Sequence, residues 1–356
     1  MRNRLIVVGI LSLLCAGSVT AADRASAVTI LTQNMDAGTD QSYIVAAALN
    51  LVPGFSVADA IDLTAQELQA SNIELRARAL ASKIAASKPD LIALQEATRW
   101  EIDLTSPAPE AVVYDQLDFL LDALGSQGVP YQIVAVNNVN DLSLPGNHVA
   151  SVRFTDRNAL LVRSGLGPPE LHFSDIHTHL FDTVFNFAGL PISAGWIAAD
   201  VHTANRHFRL ITTHLTSSIP GVAAATEAQV AQAQELLQAL RNTQIPVVIC
   251  GDFNSDANGG HFVDATPTAG LIQAAGYPEV WPQTHGPSEP GLTWPYYLED
   301  LFPPPPFVAP AGPLERIDLF FEKGMQVDGS ELMLAPTGAT PPNASDHAGV
   351  IATLRP

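Results

Sequence analysis

Short apolar runs recur along this chain, each bounded by turn residues and most of them too short to form a stable helix. Their length and their β-branched and aromatic content predict β-strands. The predicted strands are Val28–Leu31, Leu91–Leu94, Tyr131–Val136, Ala159–Val162, Trp196–His202, Phe208–Thr213, Val247–Cys250, Ile317–Phe321 and Val350–Leu354. Amphipathic periodicity predicts helices over Leu68–Ser87, Val112–Leu124 and Thr226–Leu240. Because strands outnumber helices and often follow one another directly, the pattern favours an α+β or layered α/β fold over a doubly wound parallel sheet.

The charge balance limits the partners that the surface can attract. Hydrophobic residues make up 47% of the 356-residue chain, which supports a buried core and argues against intrinsic disorder. With Lys+Arg 17 against Asp+Glu 36, the chain has a net charge of −19 and does not attract polyanions. A phosphate substrate therefore needs a local positive charge, such as a metal ion. Cys15 and Cys250 are the only cysteines, which excludes a disulfide-rich scaffold.

The first residues have the pattern of an export signal. Arg2 and Arg4 precede an apolar run over residues 5–16, and Val19-Thr20-Ala21 fits a small-x-small cleavage site. We expect a signal peptide over residues 1–21, followed by a single catalytic domain over residues 22–356. The mature protein is expected to be secreted or periplasmic and to act as a monomer. An N-terminal membrane anchor is the competing interpretation, although the run is shorter than the roughly 20 residues that a spanning helix needs. No second spanning segment follows in the mature chain.

Five segments place polar side chains at the ends of apolar strands, where loops collect around a cleft. These side chains are Asn34, Glu96, His214, Asp252 with Asn254, and Asp318 with Asp346 and His347. Asp252 and Asn254 are two residues apart and so point to the same side of extended backbone, while Gly251 permits a close backbone approach. A histidine base needs a carboxylate to fix its tautomer, and Asp318 is a candidate partner for His347. Alone, each residue also fits a turn, a solvated acid or a buried histidine.

In this order the set resembles the endonuclease/exonuclease/phosphatase superfamily, which contains deoxyribonuclease I, abasic-site endonucleases, neutral sphingomyelinases and inositol polyphosphate phosphatases. The resemblance runs from Thr32 to His347 and includes Gly291–Trp294 and Arg157–Leu161. It implies a four-layered α/β sandwich of two packed, mainly antiparallel sheets flanked by helices. The activity that it implies is metal-dependent hydrolysis of phosphodiester bonds by an activated water.

The resemblance also implies a role for each motif residue. Glu96 would be the principal ligand of Mg²⁺ (or Mn²⁺), and Asn34 and Asp346 would belong to the same metal site. Asp252 and Asn254 would position the water and the phosphate, and Asp318 would orient His347 as the base. His214 would contact the phosphate, and Asn158 would lie on the phosphate side.

The sequence is compatible with more than one class of substrate. A nuclease or general phosphodiesterase ranks first, and a sphingomyelinase-like phospholipase C second, so the expected partner is nucleic acid or a phospholipid head group. Arg99, Arg153, Arg157 and Arg163 are candidates for a cationic patch that would bind nucleic acid. Phe55, Trp100, Trp281 and Trp294 are candidates for lipid contact if they are exposed. The inositol-phosphatase motif Trp-Cys-Asp-Arg is replaced by Glu315-Arg316-Ile317-Asp318, which disfavours that subgroup.

Two other classes compete with a magnesium hydrolase. A zinc hydrolase could use His172, His177 and His179, with His202 or His207 as a further ligand. A catalytically inactive binding protein could keep the fold without the chemistry. The segment between Met35 and Leu68 has two possible roles, because its apolar residues fit either ordinary packing or an exposed lid near the site.

Overall fold

The structure is a computed structural model that describes residues 27–39, 41–104, 111–166, 171–204, 206–219, 221–259, 266–296, 312–333 and 344–356. The predicted signal peptide over residues 1–21 lies outside these ranges. None of the helices in the described ranges is long and apolar enough to cross a membrane.

Fifteen strands and seven helices are formed by the described residues. The strands are β1 Val28–Asn34, β2 Leu91–Gln95, β3 Arg99–Leu104, β4 Val112–Asp115, β5 Tyr131–Leu144, β6 Val149–Arg163, β7 Leu171–Leu180, β8 Phe185–Phe187, β9 Leu190–Ile192, β10 Gly195–Thr203, β11 His207–His214, β12 Val247–Asp252, β13 Asp318–Lys323, β14 Gln326–Met333 and β15 Gly349–Arg355. The helices are α1 Ser42–Ala48, α2 Val57–Ala70, α3 Ile73–Ser87, α4 Gln116–Ser126, α5 Ala223–Leu240, α6 Thr268–Ala274 and α7 Trp281–Thr284.

The strands form two large sheets and one small hairpin. An eight-stranded sheet has the order β14-β15-β1-β2-β6-β3-β4, with β5 also paired to β6. A five-stranded sheet has the order β13-β12-β11-β10-β7, and β8 pairs only with β9. Most neighbouring strands are antiparallel, whereas β1 with β2 and β11 with β12 are parallel. Each parallel pair therefore ends at the same edge of its sheet, which brings polar residues from distant segments together.

Three apolar layers hold the sandwich together. Between the sheets, side chains such as Ile30 and Leu160 of the larger sheet meet Leu210 and Val248 of the smaller one. On the outer face of the larger sheet pack α3 and α4, and on that of the smaller sheet pack α5 and α6. The predicted four-layered α/β sandwich with two packed, mainly antiparallel sheets is confirmed.

Local chemistry explains where the predicted helices were wrong. The predicted helix Leu68–Ser87 is two helices, because Asn72 adopts a left-handed conformation with φ 53° between α2 and α3. The predicted helix Val112–Leu124 begins as strand β4, since β-branched residues start it and Asp115 then caps α4 by accepting from the Asp118 N–H at 3.2 Å. The helix predicted to begin at Thr226 begins at Ala223.

The layer between the sheets should dominate the stability of the fold. Ile30 is 0% exposed in that layer, so Ile30→Ala should lower the free energy of unfolding by about 2–5 kcal/mol, measured by urea denaturation. Ile133 is 48% exposed on β5, and Ile133→Ala should cost less than about 1 kcal/mol. Equal losses for the two variants would contradict the assignment of the core.

Candidate active site

One edge of the sandwich collects the polar residues that the sequence singled out. In the smaller sheet, Gly195, His214, Asp252 and Asp318 lie side by side in the register of β10, β11, β12 and β13. In the larger sheet, Asn34 ends β1 and pairs with Gln95, the residue that precedes Glu96. Because the sheets pack face to face, these two strand ends open onto one shared cleft.

Asn34 joins the two sheets through its side-chain amide. Its Nδ2 donates to Glu96 Oε1 at 3.1 Å and to Asp252 Oδ2 at 2.9 Å. Its Oδ1 accepts from the backbone N–H of Asp36 at 2.8 Å, which fixes the orientation of the amide. The nitrogen, and not the oxygen, therefore faces the carboxylates, so Asn34 orients Glu96 and Asp252 instead of offering them a competing oxygen.

Strained backbone supports two of the site residues. Glu96 has φ 50° and Asn254 has φ 48°, both in the left-handed region that non-glycine residues seldom adopt. Gly251, just before Asp252, has φ 147°, and a Cβ there would stand 1.9 Å from the Thr213 carbonyl oxygen. The close approach expected at Gly251 is therefore present, and it lets β12 lie tightly beside β11.

His347 and Asp318 form a buried pair. Nδ1 of His347 lies 2.8 Å from Asp318 Oδ2, and its Nε2 lies 3.8 Å from Asp252 Oδ2. Thr293 accepts hydrogen bonds from the backbone N–H groups of Ile317 and Asp318 at 3.1 Å each, which holds the acid in place. The Nδ1 atom is thus committed to Asp318, and Nε2 is the nitrogen that faces the cleft.

Asp346 lies beside this pair and is held by an aromatic residue. Trp294 Nε1 donates to Asp346 Oδ2 at 3.0 Å, while Asp346 Oδ1 lies 3.8 Å from His347 Nε2. Among the described residues, Asp346 Oδ1 has no hydrogen-bond partner although it is buried. An unsatisfied carboxylate oxygen of this kind is suited to a cation.

A second histidine lies across the cleft from His347. His214 Nε2 is 3.6 Å from Asp252 Oδ2, 3.9 Å from Glu96 Oε1 and 3.1 Å from Asn254 Nδ2. Asn254 also donates to the Leu215 carbonyl oxygen at 3.0 Å. Asp252 therefore lies between the two imidazoles, and Asn254 turns its amide toward the same space.

Asp156 is a site residue that the sequence analysis missed. It is 7% exposed on β6, and among its neighbours the charge of His214 most favours its ionised form. Burial nevertheless raises the pKa of Asp156. Its sequence context, Asp156-Arg157-Asn158 before an apolar run, fits a solvated turn, whereas in the structure Asp156 is buried on β6 opposite Asn140 of β5.

The carboxylates lie close enough together to shift one another's pKa. Burial raises the pKa of Glu96, and the nearby charges of Asp156 and Asp36 add to that shift. Burial together with Asp36 and Glu96 raises the pKa of Asp346 to about 7. Such shifts mean that the site disfavours its own negative charge, so a bound cation would be stabilising.

The two histidines are shifted in the direction that favours their charge. Burial opposes the imidazolium of His347, but Asp318, Asp346 and Asp252 outweigh it and raise its pKa well above the ordinary value of 6.5. Burial likewise opposes the charge of His214, while Asp252 and Glu96 raise its pKa. Both shifts favour the protonated imidazole, whereas the Asn254 Nδ2 donor at 3.1 Å favours a lone pair on His214 Nε2.

A buried ion pair supports the end of β1. Arg76 on α3 is 2% exposed and places Nη2 2.8 Å from Asp36 Oδ2. The same guanidinium donates to the carbonyl oxygens of Met35 and Ala344 at 3.3 and 3.4 Å. Arg76 thereby ties the strand that carries Asn34 to the segment that carries Asp346 and His347.

Two arrangements within the site could hold a metal ion. Asp252, Asp318 and His347 each place one potential ligand atom within 4.8 Å of the others, the single group of this kind among the described residues. Asp318 Oδ2 is already bonded to His347, whereas Asp318 Oδ1 and Asp346 Oδ1 have no hydrogen-bond partner among the described residues. Oxygen ligands of this type fit Mg²⁺ or Mn²⁺.

The histidines considered for zinc do not converge on one point. His177 and His179 lie on β7 and have other partners, Asp175 at 2.6 Å and Glu235 at 3.2 Å. His172, His202 and His207 stack in a row across three strands, with ring centroids 4.5 and 5.2 Å apart. The described structure therefore gives no support to a zinc site on this sheet face.

Asn158 is placed differently from the other motif residues. It is 0% exposed, and its Nδ2 donates to the Gly195 carbonyl oxygen at 3.1 Å. It therefore links β6 to β10 beneath the cleft, and a substrate would not reach it in this arrangement.

The sequence matches the model of the endonuclease/exonuclease/phosphatase family over residues 66–347. The chain belongs to this family. The match spans most of the chain and ends at His347, so it includes all but Asn34 of the polar residues collected at the cleft. None of the curated proteins matches the sequence significantly.

Solved structures share the family fold at low sequence identity. The endonuclease/exonuclease/phosphatase of Beutenbergia cavernae is 19% identical, with a TM-score of 0.57 over 93% of this chain and 72% of that one. D. rerio TDP2 complexed with single-strand DNA product is 15% identical, with a TM-score of 0.50 over 93% and 100%. The mannosyl-6-phosphatase Bt3783 of Bacteroides thetaiotaomicron is 13% identical, with a TM-score of 0.54 over 92% and 99%. At these identities the likeness shows the endonuclease/exonuclease/phosphatase fold alone.

The pairing of His347 with Asp318 predicts a pH-dependent contribution to stability. Asp318→Asn should lower the pKa of His347, measured by NMR titration of the imidazole in the metal-free protein, because the nearest negative charge is lost. Since the folded-state pKa lies above 6.5, the pair stabilises the fold fully below that pH and loses this contribution as pH rises through the folded pKa. Asp318→Asn should therefore cost more stability at pH 6 than at alkaline pH.

Asp122→Asn, at an exposed position on α4, is the matched control and should leave the His347 titration unchanged. An unaltered His347 pKa in Asp318→Asn would show that the carboxylate does not hold the charge of the imidazole.

Proposed function

We propose that this protein is a divalent-metal-dependent hydrolase of phosphodiester bonds, a nuclease or general phosphodiesterase. The observation that carries the proposal is the meeting of Asn34, Glu96, Asp252 and His347, from four distant segments, in one hydrogen-bonded cleft. Membership of a family of endonucleases, exonucleases and phosphatases supports phosphoester chemistry. An inactive binding protein would have no need to keep this many ionisable groups crowded together.

His347 is the proposed general base. Its Nε2 faces the cleft, while its Nδ1 is held by Asp318 at 2.8 Å, so the neutral ring has its lone pair on Nε2. Nε2 takes a proton from the attacking water, the water oxygen bonds to phosphorus, and the phosphorus–oxygen bond to the leaving alcohol breaks. Asp318 stabilises the resulting imidazolium, and the leaving oxygen is protonated from solvent.

Asp252, Asn254 and His214 form the proposed binding side for the reacting phosphate and water. The Asn254 backbone N–H donates to Asp252 Oδ1 at 2.8 Å, which leaves Oδ2 facing both histidines. The Asn254 amide N–H and the charged form of His214 are donors suited to phosphoryl oxygens once a phosphate replaces the contact between Asn254 Nδ2 and His214 Nε2. Asp252 orients the water through a hydrogen bond that it accepts.

Glu96 and Asp346 are the proposed holders of a Mg²⁺ or Mn²⁺ ion, with Asn34 orienting the Glu96 carboxylate. The unpartnered Asp346 Oδ1 and the raised pKa values of both acids support this placement. When bound, the ion would neutralise charge that develops on the phosphoryl and leaving oxygens. It would also remove the repulsion between these carboxylates.

The cleft offers little support for tight binding of a long polyanion. The arginines considered for a cationic patch are each paired with an acid: Arg99 with Glu101, Arg153 with Asp141, Arg157 with Asp115 and Arg163 with Asp90. With a net charge of −19, the chain has no excess of positive field to gain from counterion release. A small phosphodiester is therefore the better candidate within the proposed activity. Export through residues 1–21 remains part of the proposal and rests on the sequence pattern.

Removing the proposed base should abolish turnover. His347→Ala should lower kcat on bis(p-nitrophenyl) phosphate by about a hundredfold or more, because proton transfer from water is lost. His177→Ala, an exposed histidine on β7, is the matched control and should keep wild-type kcat. Wild-type turnover by His347→Ala would reject the assignment of the base.

Removing the metal should abolish activity reversibly. Excess chelator should stop turnover, and Mg²⁺ or Mn²⁺ should restore it. Glu96→Gln should raise the Mg²⁺ concentration needed for half-maximal activity by about tenfold or more, while Glu74→Gln on the exposed face of α3 should not change it. Full turnover in excess chelator would refute metal dependence.

A further inference from the structure

Arg316 is a buried arginine that has no role in the reaction described above. It directly precedes Ile317 and Asp318, and it is 4% exposed. Its Nε and Nη2 donate to the two carboxylate oxygens of Glu279, just before α7, at 2.7 and 3.2 Å. Glu279 is 5% exposed, so both charges are removed from water. Because desolvation offsets much of what a buried ion pair gains, stability alone is a weak reason for this pair.

Arg316 fixes the loop that follows Asn254. Its backbone N–H donates to Asp256 Oδ1 at 3.0 Å, and its carbonyl oxygen accepts from the Ala257 N–H at 3.0 Å. Its Nη1 donates to Asn258 Oδ1 at 2.9 Å. One residue therefore holds the loop at three points, directly after the left-handed backbone of Asn254. This loop begins with an amide of the proposed phosphate-binding side.

The same guanidinium fixes the segment that supports the proposed base. Nη1 of Arg316 also donates to the Pro290 carbonyl oxygen. Three residues further along, Thr293 accepts from the backbone N–H groups of Ile317 and Asp318 at 3.1 Å each. Arg316 and this segment are thus joined twice, once through the guanidinium and once through the residues that follow Arg316. The carboxylate that orients the proposed base depends on both links.

The segment that supports the base packs against an aromatic ring. Gly291 has φ 63°, and a Cβ there would stand 2.3 Å from Trp281 Cε2. The Trp281 indole in turn donates to the Glu289 carbonyl oxygen at 2.8 Å. Trp281 is 8% exposed and Trp100 is 2% exposed, so these two candidates for lipid contact are buried. The ring and the guanidinium therefore fix the segment together.

We propose that Arg316 is a positioning residue of the proposed hydrolase, which sets the placement of Asn254 relative to Asp318. Asn254 belongs to the phosphate-binding side, and Asp318 orients His347. A shift of one relative to the other would move the bound phosphate away from the base. The inference rests on the proposed function, because the role that it assigns lies within that reaction.

The choice of arginine at this position follows from the geometry of its partners. The planar guanidinium holds its N–H donors in a rigid fork, which here serves Glu279, Asn258 and Pro290 at once. Lysine would keep the charge, but its compact ammonium does not reproduce this fork. Because Glu279 offsets the charge of Arg316, the hydrogen bonds are the part of the residue that the site uses.

The variant Arg316→Lys separates position from charge. It should lower kcat/KM on bis(p-nitrophenyl) phosphate by about 10–100-fold, with kcat reduced and KM raised. Both parameters should change because Asn254 and Asp318 lose their fixed placement together. The measurement is steady-state kinetics well below the melting temperature of the variant, so that only folded protein is compared.

Arg209→Lys is the matched control. Arg209 is ion-paired with Asp200 at 2.7 Å in the same sheet, but it lies near the start of β11, whereas His214 ends that strand. This variant should keep wild-type kcat and KM. A milder variant, Asn258→Ala, changes an exposed residue and removes its contacts with Arg316 and Pro290. Its kcat/KM should fall several-fold while the buried ion pair remains.

Position is also measured without turnover, from the indole N–H signals of the tryptophans in a proton–nitrogen correlation spectrum. Trp294 Nε1 donates to Asp346, and its backbone pairs with Glu315, which precedes Arg316. Arg316→Lys should therefore shift the Trp294 signal, whereas Arg209→Lys should not. If the wild type hydrolyses nothing, the proposed function fails, while the Trp294 signal still shows whether Arg316 sets the placement of this segment.

Two results would overturn the proposal. The first is a folded Arg316→Lys protein with wild-type kcat, KM and Trp294 signal, because a purely structural role would lower the melting temperature alone. The second applies if Arg316→Lys does not fold, and it is wild-type kcat/KM in Asn258→Ala.

Discussion

Repulsion between crowded carboxylates, of which Glu96 and Asp346 are half-buried and the others buried, is the constraint on which the active-site edge depends. Glu96, Asp156, Asp252, Asp318 and Asp346 lie close enough that burial and mutual charge raise the pKa of most of them. Within the described residues, the opposing charges at this edge come from two imidazoles and Arg76. Crowding like charges lowers the stability of the fold. Such clusters are typical of sites whose charges act on a substrate, and a phosphate is a substrate that these groups suit.

The fold solves the problem of bringing those groups together by ending two parallel strand pairs at one edge. β1 with β2 delivers Asn34 and Glu96, and β11 with β12 delivers His214 and Asp252. A single amide, that of Asn34, then bridges the two sheets by donating to both acids. Loss of that bridge would therefore disturb both halves of the site at once.

Much of this arrangement could be predicted from the sequence, because it is encoded in local patterns. Buried strands show as apolar runs, and their ends show as polar residues in a fixed order that identifies the family. Features that depend on strand pairing could not be predicted: Asp156 fits a solvated acid in the sequence, but it is buried on β6 opposite Asn140 of β5. The break at Asn72 was missed as well, because a left-handed residue interrupts a helix without breaking its apolar periodicity. The direction of the Asn34 amide follows only from its three hydrogen bonds.

The left-handed backbone at Glu96 and Asn254 has an evolutionary consequence. A non-glycine residue in that conformation costs on the order of 1 kcal/mol, which glycine would recover. A descendant protein that no longer needed the reaction would therefore gain stability from glycine at these positions. The chain therefore keeps a carboxylate and an amide at two positions where glycine would relieve backbone strain.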